Sequence, residues 1–251
     1  MGKTAFITGA TSGIGKATAE HFANNGIDLI LCGRRESRLK ALKETFEKKV
    51  GVHTLCFDVR NKEAVQKAIN SLPDAFSKID ILINNAGNAH GFDPINEGST
   101  DDWDAMIDIN VKGLLYVSRT ILSQMIERKD GHIINIGSTA GKEVYPKGNV
   151  YCASKYAVDA INQGMRIDLN QYGIRVGAIN PGLVETEFSN VRFKGDDARA
   201  DNVYKGYQPL KPEDIADIIY FVVTRPYHVN IADLIVMPTA QASSTIVNKR
   251  V

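Results

Sequence analysis

The chain contains few of the residues that build disulfide frameworks or metal centres. It has three cysteines in 251 residues, Cys32, Cys56 and Cys152, and they lack the paired spacing of a metal site. Its five histidines are scattered, and no His-Glu-x-x-His or Cys-x-x-Cys pattern occurs. We therefore expect buried free thiols of the kind found in a reducing compartment, with no structural disulfide and no catalytic metal.

Long apolar runs and blocks of like charge are also absent. No apolar stretch is long enough to cross a bilayer, and strand-like sequence begins at Lys3, so we expect neither a membrane span nor a leader. The 30 basic and 29 acidic residues give a formal net charge of +1, which offers little attraction to nucleic acid or to a membrane surface. We expect a cytoplasmic protein whose partners are small molecules or copies of itself.

Strand-like and helix-like segments alternate along the whole chain. Apolar runs that predict strands lie at 3–8, 28–32, 53–57, 79–83, 132–136, 175–179 and 233–237. Helical patterns separate them, for example at 36–49, 61–72, 104–128 and 150–172. Because the strand runs are continuously apolar, both faces of the sheet should be covered by helices. The pattern predicts a single α/β domain over residues 1–251, with a doubly wound parallel sheet of seven strands.

A glycine-rich turn follows the first strand-like run. Residues 8–15 read Thr-Gly-Ala-Thr-Ser-Gly-Ile-Gly and lead directly into a helical pattern. Glycine permits positive φ and close backbone approach, and the free amides of a helix start suit a pyrophosphate, although tight strand-to-helix turns also use glycine for geometry alone. The turn predicts a dinucleotide site at Gly9, Ala10, Thr11, Ser12, Gly13, Ile14 and Gly15.

The second strand-like run ends in Gly33, Arg34 and Arg35, where a dinucleotide fold places the residue that contacts the adenosine ribose. An acidic residue there would favour NAD, whereas the planar guanidinium groups of two arginines suit a 2′-phosphate. The alternative is a solvated turn in which the arginines pair with Glu36 and its neighbours. We expect NADP as the cofactor.

Other polar residues and turn formers follow the later strands. Asp58 and Val59 follow the third strand, 84–87 the fourth, Ser138 the fifth, and Pro181 with Gly182 the sixth. Each has a simpler explanation as a helix cap, a turn or a strand end. Because ligands of doubly wound sheets lie beyond the carboxyl ends of the strands, their shared position predicts one composite site.

Tyr151 and Lys155 lie four residues apart in a predicted helix, and Ser138 lies upstream of them. Residues at this spacing share a helix face, so a phenol would lie one turn from an ammonium. A cation within about 4–6 Å lowers a tyrosine pKa by roughly 1–3 units, which would make Tyr151 a proton shuttle. Chance neighbours on a surface helix are the alternative.

In combination, these motifs closely resemble those of the short-chain dehydrogenases/reductases. The similarity rests on Thr8-Gly9-x-x-x-Gly13-x-Gly15, Asn84-Asn85-Ala86-Gly87, Asn110, Ser138, Tyr151-x-x-x-Lys155 and Pro181-Gly182-x-x-x-Thr186, and it extends from residue 3 to about residue 237. One departure is that relatives often carry an extra glycine before the threonine matched by Thr186.

The resemblance implies a Rossmann fold with a catalytic tetrad. Tyr151 would transfer the proton, Ser138 would hold the substrate oxygen, Asn110 would hold a water, and Lys155 would lower the tyrosine pKa and bind the nicotinamide ribose. Further cofactor contacts would come from Asp58, Val59, Asn85, Ala86, Gly87, Pro181, Gly182, Val184 and Thr186.

Residues 137–141, 148–151 and above all 187–197 are similar to those of the NADP-dependent 3-hydroxy acid dehydrogenases. This implies short polar substrates and a homotetramer with helices 104–128 and 150–172 at an interface. Residues 187–210 would form a substrate loop and 239–251 a tail. In the loop, Arg192 is the candidate for a substrate carboxylate, unless it pairs with Asp196 or Asp197. Tyr145 would contact substrate or serve in packing.

Two other functions remain open at this point. A broad carbonyl or 3-oxoacyl reductase would share the cofactor and tetrad residues but need a more apolar substrate pocket. A non-catalytic NADP sensor on the same scaffold would have no need of a tyrosine base, so the complete tetrad favours an enzyme.

Overall fold

One parallel sheet has the strand order β3-β2-β1-β4-β5-β6-β7 in the computed structural model, which describes residues 2–249. The strands are β1 (Thr4–Ile7), β2 (Asp28–Gly33), β3 (Val52–Cys56), β4 (Ile81–Asn84), β5 (Gly131–Ile136), β6 (Ile174–Pro181) and β7 (Asp233–Val236). The order reverses between β1 and β4, which is the switch point of a doubly wound sheet. The predicted seven-stranded Rossmann fold is confirmed.

Helices cover both faces of this sheet. They are α1 (Gly13–Asn24), α2 (Glu36–Phe46), α3 (Lys62–Asn70), α4 (Thr100–Ile107), α5 (Leu114–Arg128), α6 (Asn149–Leu169), α7 (Phe188–Arg192), α8 (Asp197–Asn202) and α9 (Pro212–Val223). Short 3-10 turns lie at Asp74–Phe76, Thr139–Gly141 and Asn170–Tyr172.

The two sides of the core follow the alternation of side chains along the strands. Ala5 and Ile7 of β1 pack with Phe22 of α1 and Ile219 of α9 on one face. Phe6, between them in sequence, packs on the other face with residues of α3 and α5 such as Val65 and Val117. Burial on both faces explains why the strands have continuous apolar sequences.

The helix predicted at 104–128 is instead three segments. It begins earlier, at Thr100, and is interrupted by a π-helical turn at Asp108–Gly113 before α5 begins. Such turns insert extra backbone into a helix and frequently occur at functional sites. The apolar periodicity predicts a continuous helix because the flanking helices keep similar buried faces. The turn contains Asn110.

One expectation about the cysteines is wrong. Cys32 and Cys152 are buried, but Cys56 is exposed. Its position explains the difference, since Cys56 ends β3, the edge strand of the sheet, where fewer elements cover the side chains.

Within residues 2–249, no helix is both long and apolar enough to span a membrane. The same part of the chain has no cluster of three or more histidine, cysteine or acidic side chains arranged to hold a metal ion.

His132 is a buried ionisable group near the amino-terminal end of β5. Its side chain is 2% exposed, and neither ring nitrogen has a hydrogen-bond partner among residues 2–249. Burial lowers its pKa to about 3, and the positive charges of Arg175 and Lys3 act in the same direction. The folded protein therefore holds this histidine neutral.

Replacing His132 with leucine should remove part of the acid sensitivity of the fold. The unfolded chain takes up a proton near pH ~6.5 while the folded chain does so only near pH 3, so stability is complete above the unfolded pKa and declines as the pH falls through this window. Between about pH 6.5 and 4.5, His132 alone lowers the free energy of unfolding by roughly 2–3 kcal/mol.

Urea unfolding at both pH values measures the difference. In His132→Leu the free energy of unfolding should fall less between these two pH values, by the contribution of His132. The variant His228→Leu, at an exposed position, should behave like the wild type. An unchanged loss in His132→Leu would show that other groups cause it.

Candidate active site

A cavity of about 570 Å³ opens at the carboxyl edge of the sheet beside the switch point. It extends from the arginines after β2 to the first turn of α6 and is covered by α7. The predicted site residues that line it are Gly9, Thr11, Ser12, Gly13, Ile14, Arg34, Arg35, Asp58, Val59, Asn85, Ala86, Gly87, Ser138, Tyr145, Tyr151, Lys155, Pro181, Gly182, Val184, Thr186 and Arg192. The structure thus brings almost all of the predicted residues to one cleft.

Three predicted residues do not line the cavity. Ala10 and Gly15 are buried in the turn behind it, and a β-carbon on Gly15 would lie 2.5 Å from the carbonyl oxygen of Gly9. Asn110 lies behind Gly87, where a β-carbon would come 3.1 Å from Asn110 Oδ1 and 3.6 Å from Lys155 Nζ. Glycine at 87 therefore keeps open the space between these two polar groups.

The glycine turn has the backbone geometry that its sequence predicts. Gly9 and Gly13 adopt positive φ angles of 65° and 49°. A β-carbon on Gly9 would also lie 2.9 Å from Asn85 Nδ2, so this position needs glycine for close approach as well as for conformation. Gly13 and Ile14, at the start of α1, line the cleft, and free backbone amides at a helix start suit a pyrophosphate.

Tyr151 lies in the first turn of α6 and is buried beside α7. Its ring centroid is 5.6 Å from that of Phe188, and the guanidinium carbon of Arg192 is 5.7 Å from the Tyr151 ring centroid. Burial raises the pKa of Tyr151, Tyr145 acts in the same direction, and Ser138 and Arg192 partly oppose it. The phenol is therefore neutral at physiological pH in the protein without cofactor.

Lys155 does not control Tyr151 in the way that the spacing predicts. Its Nζ donates a hydrogen bond to the carbonyl oxygen of Ile136, at 2.9 Å, and burial lowers its own pKa to about 8. The pKa of Tyr151 is thus raised, opposite to the direction that the spacing with Lys155 predicts. Desolvation is the largest influence on both side chains and disfavours the charged form of each.

Asn110 is fixed by hydrogen bonds on both ends of its amide. Its Oδ1 accepts from the backbone N–H of Asn88 and its Nδ2 donates to the Asn88 carbonyl, both at 2.8 Å. Nδ2 also donates to Ser154 Oγ at 3.0 Å, and that hydroxyl donates to the Tyr151 carbonyl. The π-helical turn thereby connects the loop after β4 to the first turn of α6.

Ser138 lies two residues after the end of β5 and caps the 3-10 turn at Thr139–Gly141. Its Oγ accepts a hydrogen bond from the backbone N–H of Ala140 at 3.0 Å. This bond fixes the hydroxyl beside the cleft, and the hydroxyl lowers the pKa of Tyr151. Ser138 and Tyr151 thus lie close enough to act on one substrate oxygen.

The arginines after β2 form ion pairs that the sequence does not predict. Arg35 donates from Nε and Nη2 to Thr11 Oγ1, from Nη2 to Ser12 Oγ, and from Nη1 to Glu187 at 2.9 Å. Arg38 donates to both carboxylate oxygens of Glu187, at 2.8 and 3.0 Å. Within residues 2–249, Arg34 and Arg35 form no ion pair with Glu36 and instead contact Asp58 and Glu187.

On the adjacent side, Asp58 accepts hydrogen bonds from Arg60 and lies 3.5 Å from Arg34. Burial alone would raise the pKa of Asp58, but the hydrogen bonds and charge of Arg60 and the charge of Arg34 hold it below its ordinary value. The four arginines and two carboxylates of this cluster, Arg34, Arg35, Arg38, Arg60, Asp58 and Glu187, leave a net charge of +2.

Arg192 ends α7 and points over the aromatic side of the cleft. Its guanidinium carbon lies 4.6 Å from the ring centroid of Phe92 and 5.5 Å from that of Tyr145, and its Nε donates to the Gly91 carbonyl. Among residues 2–249 it forms no ion pair, whereas Asp196 caps α8 and Asp197 accepts from Asn190. The alternative of pairing with Asp196 or Asp197 is wrong.

Several lining residues are absent from the sequence-based prediction. They are chiefly the aromatic residues Phe92, Phe188 and Phe193, the acid Glu187, and two residues of the tail, Gln241 and Ser244. Glu187 and Phe188 fall within the predicted substrate loop, so the similarity of 187–197 was a usable signal. The tail packs against its own chain, where Gln241 Oε1 accepts from the backbone N–H of Leu183. Residues 250 and 251 of the predicted tail lie outside the described part of the chain.

Comparison with known proteins identifies the family. The short chain dehydrogenase family profile matches residues 3–197. This chain belongs to that family.

Individual relatives match along nearly the whole chain. The NADP-dependent 3-hydroxy acid dehydrogenase YdfG of Salmonella typhi is 48% identical over 237 residues, covering 94% of this chain and 95% of the relative. Sulfoacetaldehyde reductase 2 of Chromohalobacter salexigens is 46% identical over 245 residues, covering 97% of both. The closed form of serine dehydrogenase complexed with NADP+ superposes with a TM-score of 0.93 at 45% identity, covering 97% of this chain and 98% of that one.

The chain is therefore an NADP-dependent oxidoreductase that acts on CH–OH groups. The cleft fits this cofactor by its own chemistry. Its volume lies within the range of small-molecule sites, the glycine turn presents amides for a pyrophosphate, and the net charge of the arginine cluster matches a 2′-phosphate of about −1.5 to −2.

Proposed function

We propose that this enzyme oxidises the hydroxyl group of short 3-hydroxy acids, such as L-serine, L-allo-threonine, 3-hydroxyisobutyrate and 3-hydroxypropionate, and reduces the corresponding 3-oxo acids, including malonic semialdehyde. The observation that carries the proposal is the position of Arg192, a cation that forms no ion pair within residues 2–249 and lies over the ring of Tyr151. A substrate carboxylate bound to Arg192 would hold a nearby hydroxyl close to the phenol.

The proton is transferred by Tyr151. Bound NADP supplies a hydride acceptor or donor at the substrate carbon. As a hydroxyl is oxidised, the Tyr151 oxygen takes up its proton, and in the reverse reaction the neutral phenol donates a proton to the new alkoxide. Because burial raises the pKa of Tyr151, the phenol is neutral, which favours its role as the proton donor in reduction.

Neighbouring residues orient the substrate oxygen and the phenol. The Ser138 hydroxyl would donate to the substrate oxygen, and this bond strengthens as negative charge develops there. Lys155, held by Ile136, would bind the nicotinamide ribose beside Tyr151. Asn110 would hold a water next to Lys155 across the space that Gly87 leaves open.

The remaining predicted residues would hold the cofactor. The turn from Gly9 to Gly15 would bind the pyrophosphate, and Arg34 with Arg35 would bind the 2′-phosphate. Asp58, Val59, Asn85, Ala86 and Gly87 would contact the adenosine, and Pro181, Gly182, Val184 and Thr186 the nicotinamide half.

Assembly into a homotetramer in the cytoplasm completes the proposal. Leu115 of α5 is exposed, as are Tyr156 and Ile167 of α6. These helices are the ones proposed to form a subunit interface, where burial of such side chains is favourable.

The relative that reduces sulfoacetaldehyde supports a second candidate substrate. A sulfonate, like a carboxylate, is a compact anion that a guanidinium binds through parallel hydrogen bonds. A broad carbonyl or 3-oxoacyl reductase would share Tyr151, Ser138, Lys155 and Asn110 but would gain nothing from a cation above the phenol. The short anion is the feature common to the favoured substrates.

A substrate panel tests the function directly. NADPH absorbance should change with serine, allo-threonine, 3-hydroxyisobutyrate, malonic semialdehyde or sulfoacetaldehyde, and much less with a 3-oxoacyl thioester. The best 3-hydroxy or 3-oxo acid should exceed the thioester in kcat/KM by about 100-fold or more, because only it engages Arg192. A preference for sulfoacetaldehyde supports the second candidate, and a preference for the thioester contradicts both. No turnover of any compound would favour an NADP sensor.

Arg192→Ala should weaken the preference for acids over uncharged analogues. With 3-hydroxypropionate as substrate, we expect kcat/KM to fall about tenfold to 100-fold, because a charge-assisted pair is lost, and with methyl 3-hydroxypropionate to change about twofold at most. The matched control is Arg199→Ala, which removes an arginine of the same loop that stacks on Phe193 at 4.5 Å without lining the cleft. An equal loss with acid and ester would contradict the assignment of Arg192.

The pH dependence should differ between the two directions. Burial raises the pKa of Tyr151, so the deprotonated fraction that accepts a proton grows about tenfold per pH unit through the neutral and mildly alkaline range. Oxidation should therefore accelerate with pH, because the deprotonated phenol is the form that accepts the proton. Reduction uses the neutral phenol and should be fastest at or below neutral pH.

Profiles of kcat/KM from about pH 6 to about pH 10 in both directions check this. Tyr151→Phe should bind NADPH normally and lose about 100-fold to 10,000-fold in kcat in both directions. An oxidation rate that is flat or falls with pH, or a Phe variant of near-normal rate, is incompatible with Tyr151 as the proton carrier.

A further inference from the structure

Glu187 connects the start of the substrate loop to the arginines after β2. Its carboxylate accepts from Arg35 Nη1 at 2.9 Å and from Arg38 Nη1 at 2.8 Å. The same carboxylate lines the cofactor cleft together with Thr11, Ser12 and Arg35. An acidic side chain therefore belongs to the arginine cluster whose positive charge suits the 2′-phosphate of NADP.

The hydrogen bonds of Arg35 leave it little capacity for another anion. A guanidinium has five N–H groups, and Arg35 makes four hydrogen bonds with them, to Thr11, Ser12 and Glu187. Arg38 bonds Glu187 and the Thr11 carbonyl through Nη1. A phosphate that binds Arg35 through these groups must share or replace their bonds, and at Arg38 it shares the guanidinium charge with Glu187.

The charge of Glu187 persists at neutral pH. Partial burial alone would raise its pKa, but the hydrogen bonds from Arg35 and Arg38 outweigh that effect and hold the pKa below its ordinary value. A second anion near this carboxylate is therefore repelled, and this repulsion acts on the 2′-phosphate but not on the hydroxyl that NAD carries at the same position.

We propose that Glu187 is an intramolecular counter-ion of the 2′-phosphate site, which competes with the phosphate for Arg35 and Arg38 and limits the preference for NADP(H) over NAD(H). The inference rests on the proposed function in one respect, the assignment of the 2′-phosphate to Arg34 and Arg35, and it adds Arg38, which shares Glu187 with Arg35. Glu187 is then a specificity-determining residue, placed outside the catalytic tetrad.

Calorimetric binding of adenosine 2′,5′-bisphosphate and of adenosine 5′-monophosphate measures this without any turnover. Glu187→Gln removes the negative charge, keeps one acceptor oxygen for the arginines and replaces the other with an amide donor. We expect the bisphosphate to bind about threefold to tenfold more tightly to this variant at low salt, and the monophosphate to change by less than about twofold. The difference should shrink at about 0.5 M salt, because the groups are partly exposed to solvent.

Glu185→Gln is the matched control. Glu185 lies two residues away, its side chain is 46% exposed against 49% for Glu187, and it pairs with Lys211 instead of with the arginines. The control carries the same change of net charge but does not alter a partner of Arg35 or Arg38. It should therefore leave the affinity ratio of the two nucleotides unchanged. An equal gain in both variants would reduce the effect to overall charge and overturn the proposal.

Arg35→Ala separates the two ways in which the inference can fail. If it weakens the bisphosphate selectively while Glu187→Gln has no effect or weakens binding, Glu187 orients the arginines without competing, and the proposal is overturned although the phosphate site stands. If Arg35→Ala leaves the ratio of affinities unchanged, the assignment of the phosphate site fails and the proposal with it. The substrate panel is independent of both results.

Discussion

Hydrogen bonds between Thr8 and the loop after β4 hold the two sides of the switch point together, and the rest of the site depends on them. Thr8 Oγ1 accepts from the backbone N–H groups of Asn85 and Ala86, and Asn85 Nδ2 donates to the carbonyls of Thr8 and Gly9. Strands β1 and β4 are neighbours that end here, and these bonds fix the glycine turn relative to the loop that contains Gly87. The close contact also explains why Gly9 and Gly15 have no space for a β-carbon.

Desolvation governs the electrostatics at the other end of the cleft. Tyr151 and Lys155 are both buried, and burial moves the pKa of the phenol up and that of the amine down to about 8. Both shifts favour neutral side chains, so the two groups do not form an ion pair in the resting protein. Of the nearby cations, Arg192 lowers the pKa of Tyr151. The cation that would bind the substrate anion is thus also the one that acts on the proton carrier, which links substrate charge to the state of the phenol.

The sequence predicts those parts of the fold and site that depend on local patterns. The apolar runs identify the strands, and the glycine turn, Ser138 and the Tyr151-Lys155 spacing identify residues that the parallel topology brings to one edge. What it cannot predict depends on contacts between distant segments. The π-helical turn around Asn110 leaves the apolar periodicity intact, the direction of Lys155 Nζ is set by Ile136 of β5, and Glu187 meets arginines about 150 positions away. The spacing of Tyr151 and Lys155 fixes a shared helix face, but burial sets their pKa values.

Charge pairs and the packing of Phe188 on Tyr151 both hold α7 across the cleft. At its beginning, Glu187 pairs with Arg35 and Arg38 on the cofactor side, and at its end Arg192 bonds the Gly91 carbonyl on the substrate side. Farther along, Lys194 pairs with Asp102 of α4 at 2.9 Å. Exposed ion pairs are individually weak and are exchanged easily for bonds to other anions. Anions of the cofactor and of the substrate would bind at opposite ends of the same five-residue helix, so each would exchange with the polar contacts at one end of α7.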